Sequence, residues 1–242
     1  MGLAGAVFTG IVIGLVGFYI RNNTHESPHF EHAKNNGHLS KSPLRESFRD
    51  HWKPMLLAIG IYMTVTVPFY VLTVFINSYL SKILGYEVGD ALLINTVAML
   101  VMLGIIPISA YYTDKIGRKP VLQLAATLVL LCAYPLFYAT ANAGFTGALL
   151  AQCAMAFIVG IYIAPVPTVL VELFPTRIRY TGMAVSYNIC AALFGGTAPM
   201  VSSWLIKTTE NNLSVAWYLM ICSAISLITL HYYKDRFREK LA

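Results

Sequence analysis

Thr113-Asp-Lys-Ile-Gly-Arg-Lys-Pro120 decides how this chain reads. Four of its eight residues are charged, namely Asp114, Lys115, Arg118 and Lys119. The sequence on either side is not: residues 91–112 carry no charge, and neither do the 51 residues 121–171. A charge at the centre of a bilayer costs about 2.5–3.5 kcal/mol on insertion scales, so long uncharged runs joined by a short charged turn read as membrane spans and their loop. Asp114 falls where the preceding helix should end. A carboxylate at the negative end of a helix dipole is disfavoured by about 0.3–1 kcal/mol. Its presence predicts a compensating partner: Arg118, Lys119 or the N-terminus of another helix. Gly117 permits the reversal, and Pro120 suits the first turn of the helix that follows.

Outward from this turn, the 242 residues are 57% hydrophobic and only 12% charged, where a soluble domain has roughly 25% charged residues. A span needs about 20 mainly apolar residues. Seven segments qualify: 1–20, 54–81, 91–112, 120–141, 145–171, 181–206 and 213–233. The sequence therefore predicts an all-α integral membrane protein built as a bundle of seven transmembrane helices. Asn142-Ala-Gly144 is the natural break in the long uncharged run. Residues 1–20 lack the Lys or Arg that would precede the apolar core of a signal peptide.

The loops 21–53, 113–119, 172–180 and 234–242 hold 15 of the 17 Lys and Arg residues, leaving only Lys82 and Lys207 on the opposite side. This positive-inside pattern alternates in register with the seven spans, placing the N-terminus outside and the C-terminal tail, 234–242, in the cytoplasm. It accounts for the net charge of +6 without nucleic acid as a partner; the bilayer is the partner. The cysteines Cys132, Cys153, Cys190 and Cys222 sit in apolar runs and read as packing residues.

Residues 21–53 form a polar linker expected on the cytoplasmic side. Near its end, Ser42-Pro43 is a helix start, and Leu44, Phe48 and Trp52 recur at i, i+4 and i+8, which predicts an amphipathic helix on the membrane surface. Five of the six histidines fall in this linker. His25, His29 and His32 have a spacing that a metal would accept, but with no cysteine beside them they read as solvated side chains, and no metal site is expected.

Three spans carry polar signals. Tyr62, Thr66, Tyr70, Thr73 and Asn77 lie on one helical stripe at about 100° per residue. A polar stripe in a membrane helix faces protein or water, so it either lines a solute path or hydrogen-bonds between helices. In Gly160-Ile-Tyr-Ile-Ala-Pro-Val-Pro-Thr168, Pro165 and Pro167 each remove a backbone donor and predict a bend, with Tyr162 as a nearby polar group. Thr181, Asn188, Gly195 and Ser202 are seven residues apart. Tyr187 and Asn188 either touch a polar solute or belong to small-residue packing with one buried Asn.

Between the fifth and sixth spans, Glu172 is a second carboxylate at a helix end. Arg177 and Arg179 follow it. With Asp114 and Arg118 they form a candidate ion-pair cluster that holds one conformation and breaks in another. No Asp, Glu, Lys or Arg lies inside any of the seven segments. There is no HExxH, no phosphate-cradling loop and no lysine in the last span, so no enzyme chemistry is read here and no organic or metal cofactor is implied.

Asp114-Lys-Ile-Gly-Arg-Lys-Pro120 resembles the loop signature G-x-x-x-D-R-x-G-R-R/K of the major facilitator superfamily, with Ala110 in place of the first Gly and Lys115 in place of Arg. Glu172-Leu-Phe-Pro-Thr-Arg-Ile-Arg-Tyr-Thr-Gly182, Ser186-Tyr-Asn188 and Phe194-Gly-Gly-Thr-Ala-Pro199 are similar to the metabolite:proton symporter branch, which includes proline/betaine, 2-oxoglutarate, citrate and shikimate transporters. The resemblance implies a register: helix six (1–20), the central loop (21–53) and the C-terminal six-helix half (54–233) of a twelve-helix transporter. It implies a solute path through Tyr62, Thr66, Tyr70, Thr73, Asn77, Tyr162, Pro165, Pro167, Tyr187 and Asn188 at the midplane between halves. It also implies a cytoplasmic gate made by Asp114, Gly117, Arg118, Glu172, Arg177 and Arg179. The expected function is proton-coupled symport of a small polar metabolite by alternating access. The solute is a proline- or betaine-like zwitterion or a small organic acid, and the location is the bacterial inner membrane. The first half would be missing or separately encoded, as in a truncated product or half of a split pair. A seven-helix receptor and a non-transporting remnant stay open as alternatives.

Overall fold

A computed structural model describes residues 3–23 and 42–235. They fall into two units. The first contains α1 (Leu3–Asn23), a 21-residue helix over the first expected span. The second begins with α2 (Pro43–Asp50). It continues with α3 (Trp52–Ile83), α4 (Val88–Ile116), α5 (Arg118–Asn142), α6 (Gly144–Glu172), α7 (Arg179–Thr209) and α8 (Ser214–Tyr232). Among the described residues these six, α3 to α8, are helices long and apolar enough to cross a membrane. The predicted histidines His25, His29, His32 and His38, and tail residues 236–242, lie outside the described residues.

From α3 to α7 the helices run longer than the apolar segments. Asp114 and Lys115 belong to the last turns of α4, Arg118 opens α5, Glu172 ends α6 and Arg179 opens α7. The seven apolar segments themselves hold no Asp, Glu, Lys or Arg; these charges sit in the helical turns beyond them, because hydropathy marks the hydrocarbon crossing, whereas backbone hydrogen bonding carries the helix past it. Trp52, expected as the third apolar residue of the surface helix, instead opens α3. The surface helix stops at Asp50 with Leu44 and Phe48 exposed.

α6 packs against α4 and α5, α8 against α5 and α3, and α7 against α3. α3 is the most enclosed span and α7 the least. Since lipid is as apolar as leucine, helix association rests on close packing and interhelical hydrogen bonds. Ser226 Oγ donates to Gly60 O at 2.6 Å, tying α8 to α3. Ser223 Oγ donates to Ala126 O at 2.7 Å, tying α8 to α5. Ser109 Oγ donates to Ile161 O at 2.9 Å, tying α4 to α6. Gln152 is buried in α6, as expected of a group facing the bundle, and its amide donates to Thr140 Oγ1 at 3.1 Å.

Three features bend the frame. α3 winds as π-helix over Val71–Phe75 and Tyr79–Ile83, and α7 does so over Ala191–Gly195. The α-helical ladder of α6 breaks between Ile163 and Val166, at Pro165. Gly117 sits at φ +99°, in the left-handed region, and reverses the chain between α4 and α5.

Candidate functional site: a cavity and an ionic cluster

α3, α6 and α7 line an open cavity of about 380 Å³. α3 contributes Tyr62 and Val65; α6 contributes Ile163, Val166, Pro167 and Leu170; α7 contributes Met183, Ala184, Tyr187 and Asn188. Four residues singled out separately in three spans thus meet: Tyr62, Pro167, Tyr187 and Asn188. The Tyr62 and Tyr187 rings lie 4.9 Å apart between centroids, tilted by 50°. The break in α6 exists because Pro165 and Pro167 cannot donate backbone hydrogen bonds. Pro165 stays buried, while Pro167 reaches the cavity.

The other path candidates go elsewhere. Tyr162 is fully buried, and its hydroxyl donates to Ile61 O at 2.8 Å, so it locks α6 to α3 from the core side. Thr66 is buried beneath Tyr62 and donates to Tyr62 O at 3.0 Å. Thr73 donates to Phe69 O at 2.7 Å. Asn77 Oδ1 is buried with no hydrogen-bond partner among the described residues. Tyr70 packs against Gly195. Thr73 and Asn77 share the stripe's sequence spacing but, at roughly 1.5 Å of rise per residue, lie about 16 and 22 Å further along α3 than Tyr62, out of reach of the cavity. In α7, Asn188 is exposed at the cavity, whereas Gly195 and Ser202 are buried. The alternative that Asn188 is a buried packing residue is corrected on that ground.

Just beyond the cavity lies an ionic cluster, with Glu172 two residues after Leu170 in α6. Arg118 Nε lies 3.5 Å from Glu172 Oε1, and Arg118 Nη2 lies 3.6 Å from Asp114 Oδ1. Both carboxylates occupy helix C-termini and Arg118 a helix N-terminus, each at the end its charge disfavours. The three stabilise one another. Tyr233 donates its hydroxyl to Glu172 Oε2 at 3.1 Å. Burial, then the negative charge of Glu172, pushes the Tyr233 phenol well above its ordinary value of 10.0.

The expected Arg177 and Arg179 contributions to this cluster are corrected. Arg177 pairs with Glu46 of α2, and Arg179 Nε donates to Phe174 O at 3.1 Å. The loop 173–178 turns Arg177 outward, where α2 meets it. Sequence reading missed the partners Glu46, Tyr233 and Asp235, and Lys119, offered as a partner for Asp114, instead binds the end of α8. The backbone N–H of Lys119 donates to Asp235 Oδ2 at 2.8 Å, and Lys119 Nζ donates to Tyr233 O at 2.7 Å and His231 O at 3.1 Å. The start of α5 and the end of α8 therefore cap each other. No local periodicity signals contacts between residues more than a hundred positions apart. Among the described residues no His, Cys, Asp or Glu cluster has the grouping needed to hold a metal.

A family model described as Major Facilitator Superfamily matches residues 1–199. The chain belongs to the major facilitator superfamily. It is 32% identical over 96% of its length to the ectoine/proline transporter ProP of Corynebacterium glutamicum. It is 31% identical over 97% to the glycine betaine/proline/ectoine/pipecolic acid transporter OusA of Dickeya dadantii. It is 29% identical over 92% to the proline/betaine transporter of Escherichia coli. These matches cover 48%, 48% and 46% of the respective relatives, so the chain spans about half the length of the curated relatives it matches. No solved structure matches. Family membership and the six apolar helices make this an integral membrane protein.

Proposed function

We propose that this chain is the C-terminal half of a secondary transporter that carries a small zwitterion of the proline or betaine kind. The cavity is its wall of the solute path, and Asp114, Arg118 and Glu172 form its gate. The observation that carries the reading is the convergence of Tyr62, Pro167, Tyr187 and Asn188, from three spans, on one cavity. The three relatives named above carry names that give proline, betaine or ectoine as what they transport. The opposing wall is supplied by an N-terminal half, covalently joined or separately encoded, and the two alternate in access by rocking about the site.

The proton serves as coupling ion, with Glu172 the candidate carrier nearest to the cavity. The chain resides in a bacterial inner membrane with the ionic cluster and the C-terminus in the cytoplasm. The concentration of 15 of 17 Lys and Arg residues in four alternate loops supports that orientation.

The test is uptake of labelled proline, glycine betaine and a dicarboxylate by cells producing the chain alone or with a six-helix first half. Zwitterion uptake that a protonophore abolishes is expected. Uptake of the dicarboxylate alone, or of nothing in either setting, would overturn the proposal. Cysteines replacing Tyr62 and Asn188 react with aqueous thiol reagents and are protected by solute, whereas cysteines at Thr66 and Tyr162 stay inert.

A further inference from the structure

We infer that the Tyr62–Tyr187 corner is a subsite for the ammonium end of the solute, which selects methylated or cyclic ammonium zwitterions and rejects organic acids that lack a cation. The inference rests on the cavity being part of a solute path. The two rings, packed with centroids 4.9 Å apart and tilted by 50°, both line the cavity. Aromatic faces carry negative potential, and quaternary ammonium groups are bound by such faces in other proteins.

The rest of the lining sharpens the choice. None of the ten lining residues is Asp, Glu, Lys, Arg or His. An ammonium therefore meets no carboxylate here, and a carboxylate meets no guanidinium. The nearest acid, Glu172, is engaged by Arg118 and Tyr233. Asn188 Nδ2 donates to Ala184 O at 2.7 Å. That leaves the amide oxygen, an acceptor suited to an N–H of a secondary ammonium. The neighbouring Val65, Val166 and Leu170 are apolar, and desolvation strengthens a cation–π contact. The carboxylate end of the solute projects away from this wall.

The experiment is saturation-transfer NMR on the purified chain in lipid nanodiscs. The probes are glycine betaine and its uncharged-carbon isostere 3,3-dimethylbutanoate, which keeps the shape and carboxylate but loses the cation. Glycine betaine is expected to bind at least about tenfold more tightly than the isostere. Tyr62→Leu and Tyr187→Leu each weaken betaine roughly 2- to 30-fold, as loss of one ring face does. Tyr62→Phe and Tyr187→Phe keep the face and keep betaine binding, so a folding failure in a Leu variant is not decisive. Equal binding of the isostere, a Phe variant as weak as the Leu variant, or no betaine binding would overturn the inference. Cation-selective binding without uptake would sink the transport reading and leave the subsite standing. Uptake inhibited equally by the isostere would do the reverse.

Discussion

Neutralising Glu172 should destabilise the bundle far more than neutralising Asp114, although both carboxylates face the same guanidinium. The Glu172 side chain is 5% exposed and that of Asp114 is 76% exposed, against 13% for Arg118. At 3.5 Å and an effective dielectric of 20, the gross Arg118–Glu172 attraction is about 5 kcal/mol; at 3.6 Å in nearly bulk water, the Arg118–Asp114 attraction is about 1 kcal/mol. Much of the first figure offsets the desolvation of both groups. Removing one partner leaves the other buried and uncompensated, a loss of about 3–5 kcal/mol. Asp114, still 3.6 Å away, moderates this toward the lower end. Glu172→Gln should therefore cost about 3 kcal/mol, and Asp114→Asn at most about 1 kcal/mol. The double variant Arg118→Met with Glu172→Leu should recover part of the loss, because an apolar pair of similar volume replaces the buried charges and only the Tyr233 hydroxyl loses its acceptor. The assay is denaturant unfolding in detergent, followed by tryptophan fluorescence. Equal losses for Asp114→Asn and Glu172→Gln would refute the reasoning, as would a double variant worse than either single replacement.

Three further outcomes follow from the geometry. Gly195→Val should cost about 1–3 kcal/mol through overpacking, because a Cβ there would fall 2.5 Å from Thr66 Cγ2 and 2.8 Å from Tyr70 Cε2. Gly104→Val, with open space around it, should behave as wild type when the monodisperse fraction after extraction is compared. Lys119→Met removes the donor to Tyr233 O and His231 O and should cost about 1.5–3 kcal/mol, seen as faster amide exchange at the end of α8. The raised phenol of Tyr233 makes its contribution complete below its ordinary value of 10.0 and lost as pH rises through the higher folded value. The stability of the wild-type chain should then fall more steeply above pH 10 than that of Tyr233→Phe, measured by thermal unfolding across that range.

The transmembrane architecture was legible because the bilayer enforces it locally: each span must satisfy its own backbone and exclude charge over about 20 residues, so a run of residues announces a helix without knowledge of its neighbours. The same rule marked Thr113–Pro120 as a turn, and the helix dipole made Asp114 and Glu172 need partners before any partner was known. The break at Pro165 follows from a missing donor in one residue.

Which group answers which was decided only by the packed bundle. Arg118 serves Glu172, while Arg177 leaves for Glu46 and Tyr233 arrives from the last helix. The winding of α3 and α7 was decided there too. Two π stretches in α3 and one in α7 interrupt the regular period, and the cavity forms only where α3, α6 and α7 meet, so Tyr62 reaches it and Asn77, about 22 Å further along α3, does not. Helical period is a property of the local chain only while every turn is alike, and in this bundle contacts between helices set where the turns differ.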